Sequence, residues 1–136
     1  MATLIKVPTL IDERGSLTVI DQLLPFDIKR IFYIYDVAKK RGGHRHKTNK
    51  MCLIALNGSI EIHVQTPIEN LVFTISSPDE VLVLEPEDWH TMDNFSKGST
   101  LLVLNSHSWS KDDYIYEAYR VEAQNEISNE RLREAI

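Results

Sequence analysis

The chain has 136 residues, 43% of them hydrophobic and 26% charged, and a formal net charge of −5. That length suits one ordinary domain spanning 1–136, and the balance excludes both a disordered chain and a membrane-embedded one. The acidic charge without a long basic block argues against a nucleic-acid partner, although a few local arginines can still hold the phosphates of a small ligand.

Residues 1–15 show no basic region followed by a sustained apolar run, and no stretch reaches the roughly eighteen apolar residues of a spanning helix. A cytoplasmic protein with no membrane partner is therefore expected. Short apolar or alternating runs then recur between turn signals, and they predict strands over 16–20, 28–35, 51–56, 60–65, 71–75, 80–84 and 100–105. This is the pattern of an all-β sandwich or barrel. Cys52 is the single cysteine and lies in the apolar run 51–56, so an intrachain disulfide or a cysteine metal cluster is excluded and a buried structural thiol is expected.

Asn57-Gly58 follows that run and reads as a type I′ hairpin turn joining 51–56 to 60–65, because both residues tolerate positive φ. Within 60–65 apolar and polar residues alternate strictly, which puts His63 on the wet face with Glu61 and Gln65. Turn residues recur at Thr66-Pro67, Ser76-Ser77-Pro78-Asp79 and Glu85-Pro86-Glu87-Asp88. After Ser110 the chain becomes polar, His107 reads as a loop residue, and 127–136 is predicted to form a short C-terminal helix.

The informative segment is Arg41-Gly42-Gly43-His44-Arg45-His46. Histidines at i and i+2 of an extended segment share a side while Arg45 points away, so both can act on one ligand. An imidazole with a reference pKa of about 6.5 both accepts and donates protons near neutrality. From the residues alone three readings stand: a proton-carrying pair, two loop histidines without a role, and part of a metal site. Arg14, Arg30 and Arg41 are candidates for a phosphate-bearing ligand, because guanidinium forks bind phosphate oxygens through paired hydrogen bonds. Trp89 is a candidate to stack on a base or sugar, or else a core residue.

Gly43-His44-Arg45-His46, with Gly58 twelve residues beyond His46, resembles the first motif of the cupins, whose fold is a double-stranded β-helix or jelly-roll barrel. Pro86, His90 and Asn94 echo the second motif, with Asp88 replacing its glycine and one residue fewer in the spacing. Metal-binding cupins place a glutamate shortly after the second histidine, where this chain has Lys50 and Met51. His44, His46 and His90 are the residues a metal-dependent cupin would use, and a non-catalytic sugar-binding cupin is the other alternative.

A closer resemblance runs from Ile11 to about Tyr119. The strings Asp12-Glu13-Arg14-Gly15-Ser16-Leu17, Lys29-Arg30-Ile31-Phe32-Tyr33-Ile34, Arg41-Gly42-Gly43-His44-Arg45-His46, Leu56-Asn57-Gly58-Ser59, Trp89-His90-Thr91-Met92-Asp93-Asn94-Phe95-Ser96 and Asp112-Asp113-Tyr114-Ile115 are similar to the sugar-nucleotide 3,4-ketoisomerases. The resemblance implies a homodimer that needs no metal or other cofactor. It implies action on dTDP-4-keto-6-deoxyglucose to supply a 3-keto sugar for 3-amino sugars of surface polysaccharide. It further implies His44 as carbon base, His46 as proton relay and Tyr33 as hydrogen-bond partner of a sugar oxygen. Arg14 with His90 matches the branch that makes the 3-keto-6-deoxygalactose product.

Overall fold

The structure is a computed structural model describing residues 1–21 and 23–119; the helix expected over 127–136 lies outside the described residues. In chain order the strands are β1 (Thr3–Lys6), β2 (Thr9–Asp12), β3 (Gly15–Thr18), β4 (Arg30–Tyr35), β5 (Arg41–His46), β6 (Met51–Asn57), β7 (Ile60–Gln65), β8 (Asn70–Ile75), β9 (Glu80–Leu84), β10 (Trp89–Asp93), β11 (Thr100–Asn105) and β12 (Tyr114–Ile115). One turn of 3-10 helix, Lys111–Asp113, precedes β12. No helix among the described residues is long and apolar enough to cross a membrane.

Two five-stranded antiparallel sheets carry the fold, in the orders β1-β9-β6-β11-β4 and β12-β5-β10-β7-β8, with β2 and β3 forming a separate hairpin. This is the all-β, cupin-like architecture. The alternation of β7 places Ile60, Ile62 and Val64 in the core while Glu61, His63 and Gln65 are only half-buried, as the sequence predicts. His63 spends its Nε2 on the Glu61 carboxylate, 3.2 Å away. Leu53, Ala55, Leu82, Leu84, Leu101 and Val103 complete the core from the facing sheet, each large side chain contributing on the order of 1.5–3 kcal/mol through burial.

Strand β6 is buried on both faces. Its second face, with Cys52 and Ile54, packs with Val81, Val83 and Leu104 under Ile20, Leu24 and Phe26. Burial pushes the Cys52 thiol up to about 12, which makes it the inert structural thiol expected.

The Asn57-Gly58 turn departs from expectation. β6 and β7 do not pair with each other; they belong to different sheets, so the turn carries the chain across the barrel. Gly58 takes φ 72°, but Asn57 does not have positive φ, so a type I′ hairpin is not what forms. A Cβ on Gly58 would fall 2.7 Å from the Ser99 Cβ, and this close approach to the 96–99 turn is what requires glycine. The strands β1, β2 and β10 were not visible as apolar runs. β10 is polar, Trp-His-Thr-Met-Asp, yet it is held centrally between β5 and β7.

Candidate active site

The site grows from the way β5 pairs with its two neighbours. On one side His44 stands opposite His90 of β10, and the register then slips so that Thr91 faces Gly42. Gly42 and Gly43 have φ of 88° and 87°, and a Cβ at Gly42 would lie 2.9 Å from the His90 carbonyl oxygen. Glycine is needed there for the bulge that aims His44 at His90. On the other side His46 stands opposite Tyr114 of β12. Residues directly opposite on one face of a sheet touch, and the rings do: His44 lies 5.0 Å from His46, 4.8 Å from His90 and 4.6 Å from Tyr114 between centroids. Arg45 points away and lies over the Tyr119 ring.

These side chains open on a cavity of about 380 Å³ between the sheets, lined by His44, His46, Tyr114, Arg30, Arg41 and Asn105, among others. The volume is that of a small-molecule site. Two cationic guanidinium groups and two imidazoles in one lining give it the polarity of a site for an anionic, proton-exchanging ligand.

Burial decides the charge of the imidazoles. His44 is pushed down to about 4, first by desolvation and then by the nearness of His46, against a backbone hydrogen bond at Gly42. His90, wholly buried, is pushed down to about 3 by desolvation and by His44. His46 is lowered by desolvation too, with the Asp113 carboxylate opposing and the Arg30 charge adding to the effect. All three are therefore neutral at neutral pH. His90 Nδ1 lies 3.1 Å from the Asp88 carbonyl, to which it donates. The Nε2 atoms of His46 and His90 are buried and have no hydrogen-bond partner.

The residues expected at the site are thus only partly brought together. His44, His46, Arg30 and Arg41 line the cavity. His90 is 1% exposed, with its ring 4.8 Å from that of His44, and does not itself line the cavity. Tyr33 borders the cavity, yet it alternates with Phe32 and Ile34, is 63% exposed and stacks on Tyr35. The phenol packed against both histidines is Tyr114, 4.9 Å from His46, which sequence reasoning did not single out although its string belongs to the resemblance. Trp89 donates its Nε1 hydrogen to the Tyr116 carbonyl at 3.1 Å and does not line the cavity. Arg14 sits in the β2–β3 turn, fully exposed and paired with Asp12, apart from the cavity.

Among the described residues no three His, Cys, Asp or Glu side chains are arranged to hold a metal ion. Lys50, at the place of the expected ligand carboxylate, instead pairs with Glu85 at 3.3 Å.

Known proteins of this architecture match most of the chain. The family model described as FdtA: WxcM-like, C-terminal matches residues 1–125. The chain is 36% identical over 115 residues to the TDP-4-oxo-6-deoxy-α-D-glucose-3,4-oxoisomerase of Aneurinibacillus thermoaerophilus, covering 82% of this chain and 83% of that protein. The 3,4-ketoisomerase QdtA of Thermoanaerobacterium thermosaccharolyticum in complex with TDP superposes with a TM-score of 0.83 at 35% identity, covering 95% of this chain and 96% of its own. A double mutant of QdtA with TDP, in which a tyrosine is exchanged for arginine and an arginine for histidine, superposes with a TM-score of 0.83 at 37% identity, covering 95% of both chains.

Proposed function

The chain belongs to the FdtA family of WxcM-like, C-terminal proteins and is a TDP-sugar 3,4-ketoisomerase, and from that premise we propose that it converts dTDP-4-keto-6-deoxyglucose into dTDP-3-keto-6-deoxygalactose by proton transfer on histidines. The observation that carries the mechanism is the pair of neutral imidazoles, His44 and His46, lining one cavity beside Arg30 and Arg41. His44 takes the proton from C3, and the electron pair left behind forms the C3–C4 double bond of an enediol. His46 takes the proton of the C3 hydroxyl and delivers it to O4. The proton held by His44 then returns to C4 as the C3 ketone forms. No electron leaves the sugar, so no redox cofactor is required, and each positioned acid or base contributes roughly 10²–10⁴-fold. Arg30 and Arg41 hold the pyrophosphate. Tyr33 on the cavity border hydrogen-bonds a sugar oxygen, and Tyr114, packed against both imidazoles, is a second phenol at the site.

The galacto outcome is supported by Arg14 and His90, the pair read from the resemblance. QdtA carrying a tyrosine-to-arginine and an arginine-to-histidine exchange is 37% identical to this chain, against 35% for QdtA without them. His90 directly opposite His44 can order the proton that reaches C4, which an always-charged arginine cannot do. The product then serves a 3-aminotransferase.

A homodimer is supported by the β2–β3 hairpin, where Leu10, Ile11 and Leu17 are exposed. Isolated two-stranded hairpins are marginal in water, and a second copy related by a two-fold axis is the commonest cover for such a surface.

Proton NMR in D₂O with dTDP-4-keto-6-deoxyglucose and a chelator present tests the reading. A 3-keto product is expected, with deuterium at C4 to the extent that the proton on His44 exchanges with solvent before its return; the same reaction in H₂O, trapped with a 3-aminotransferase, should give small H3–H4 and H4–H5 couplings. Binding with neither exchange nor product would mean a non-catalytic sugar-binding cupin, loss of turnover on chelation a metal-dependent one, and large couplings in H₂O the gluco product.

A further inference from the structure

Resting on the histidine mechanism above, we propose that Asp113 is the positioning residue that sets the tautomer of His46, holding the ring proton on Nδ1 and keeping Nε2 as the acceptor for the substrate hydroxyl. The His46 side chain is buried and that of Asp113 half-buried, and Asp113 Oδ2 lies 2.9 Å from His46 Nδ1. The carboxylate is itself gripped from several sides. Its Oδ1 accepts from the Thr48 backbone N–H at 2.8 Å and the Thr48 hydroxyl at 2.7 Å, and its Oδ2 also accepts from the Asn49 N–H at 3.3 Å. The Lys47 N–H donates to the Asp113 carbonyl at 2.9 Å, so the backbone is latched as well.

Burial works against ionisation of Asp113, but the Thr48 donors and His46 outweigh it and hold the carboxyl below the usual range. An ionised carboxylate has only acceptors, so the histidine nitrogen facing it must donate. Nε2 is thereby the free atom, and it is the buried one that lacks a partner. When His46 takes the hydroxyl proton the imidazolium forms beside a fixed negative charge, through a bond that strengthens as it becomes charge-assisted. Asp113 keeps its own charge throughout and touches no reacting atom.

The Thr48 donors make Asp113→Asn a directed test. Two donors face the Oδ1 position, so the amide oxygen is drawn there and the amide NH₂ is turned toward His46 Nδ1. That nitrogen must then accept, and the ring proton moves to Nε2. Long-range ¹H–¹⁵N NMR of the His46 ring reads the tautomer without any assay. The expected result is Nδ1–H in the native protein and Nε2–H in Asp113→Asn. The rate kcat should fall by at least about 10²-fold, with KM changed by less than about threefold, because an orienting contact is lost and not a binding one. Asp113→Glu, which keeps the charge, should retain the Nδ1–H tautomer. Nε2–H in the native protein, an unchanged tautomer in Asp113→Asn, or a switched tautomer with native kcat would each overturn the proposal. Should Asp113→Asn fail to fold, the native tautomer and that of Asp113→Glu still decide it. Absence of a 3-keto product from the native protein would sink the isomerase mechanism and leave the tautomer result standing.

Discussion

The β5–β10 ladder and the β2–β3 hairpin are both short antiparallel pairs rich in polar residues, yet they are held in opposite ways. The ladder lies inside a five-stranded sheet, and its histidines are locked by a glycine bulge, by opposite rings and by the Asp113 carboxylate. The hairpin is paired only with itself, and its apolar residues Leu10, Ile11 and Leu17 face solvent. A barrel can thus build the proposed proton-carrying pair within one chain, because burial both fixes an imidazole and sets its charge. An arginine on a free hairpin gains neither. Arg14 is fully exposed and its pKa is raised by hydrogen bonding to Asp12, a neighbour two residues away; surface pairs of this kind contribute little.

The largest test of this contrast is His44→Asn. Turnover should fall by roughly 10³-fold or more, since an amide hydrogen-bonds but does not carry a proton at neutral pH, while TDP binding measured by calorimetry stays near native. His46→Asn should be nearly as severe. If both variants keep most of their activity, the ladder is structural and the contrast fails.

A smaller effect is expected from Ile11→Asp on the hairpin. It should turn a dimer into a monomer by light scattering at micromolar concentration and reduce turnover. It should move Tm by less than about 3 °C, as exposed substitutions do. A monomeric native protein, or a collapse of Tm in the variant, would show that the hairpin is not an independent, partner-dependent element.

The smallest effect is in the pH dependence of stability. His44 and His90 are pushed down to about 4 and about 3 in the folded chain, against about 6.5 when unfolded. Between pH 6.5 and 4 the unfolded chain therefore binds more protons, so stability rises with pH there and is lost as pH falls through that window. Tm should drop between pH 7 and pH 4.5. His90→Asn should flatten the slope and Ile11→Asp should not, because the hairpin carries no histidine. A Tm independent of pH over this range would mean the buried imidazoles are not held neutral.

Much of this was legible in local pattern. Strict alternation over 60–65 placed three side chains in the core, an apolar run around Cys52 announced a strand with a buried thiol, and two histidines at i and i+2 on an extended segment shared a side as geometry requires. Such features depend on the period of a strand and the burial of apolar surface, which a sequence encodes residue by residue. The rest depended on which distant segments meet. His44 and His90 are strand partners only because β5 and β10 pair with a bulge, and Asp113 reaches His46 across 67 residues of chain. Tyr114 packs against both imidazoles because β12 joins β5, while Tyr33 borders the same cavity from β4 of the other sheet. Asn57-Gly58 crosses between sheets where its dipeptide alone suggested a hairpin. Register is a property of two strands at once, so neither strand's own residues could state it. The sequence determined the apolar strands, their core and the histidine pair; the tertiary pairing decided where the polar strands lie, which residues stand around that pair and, through burial, its charge.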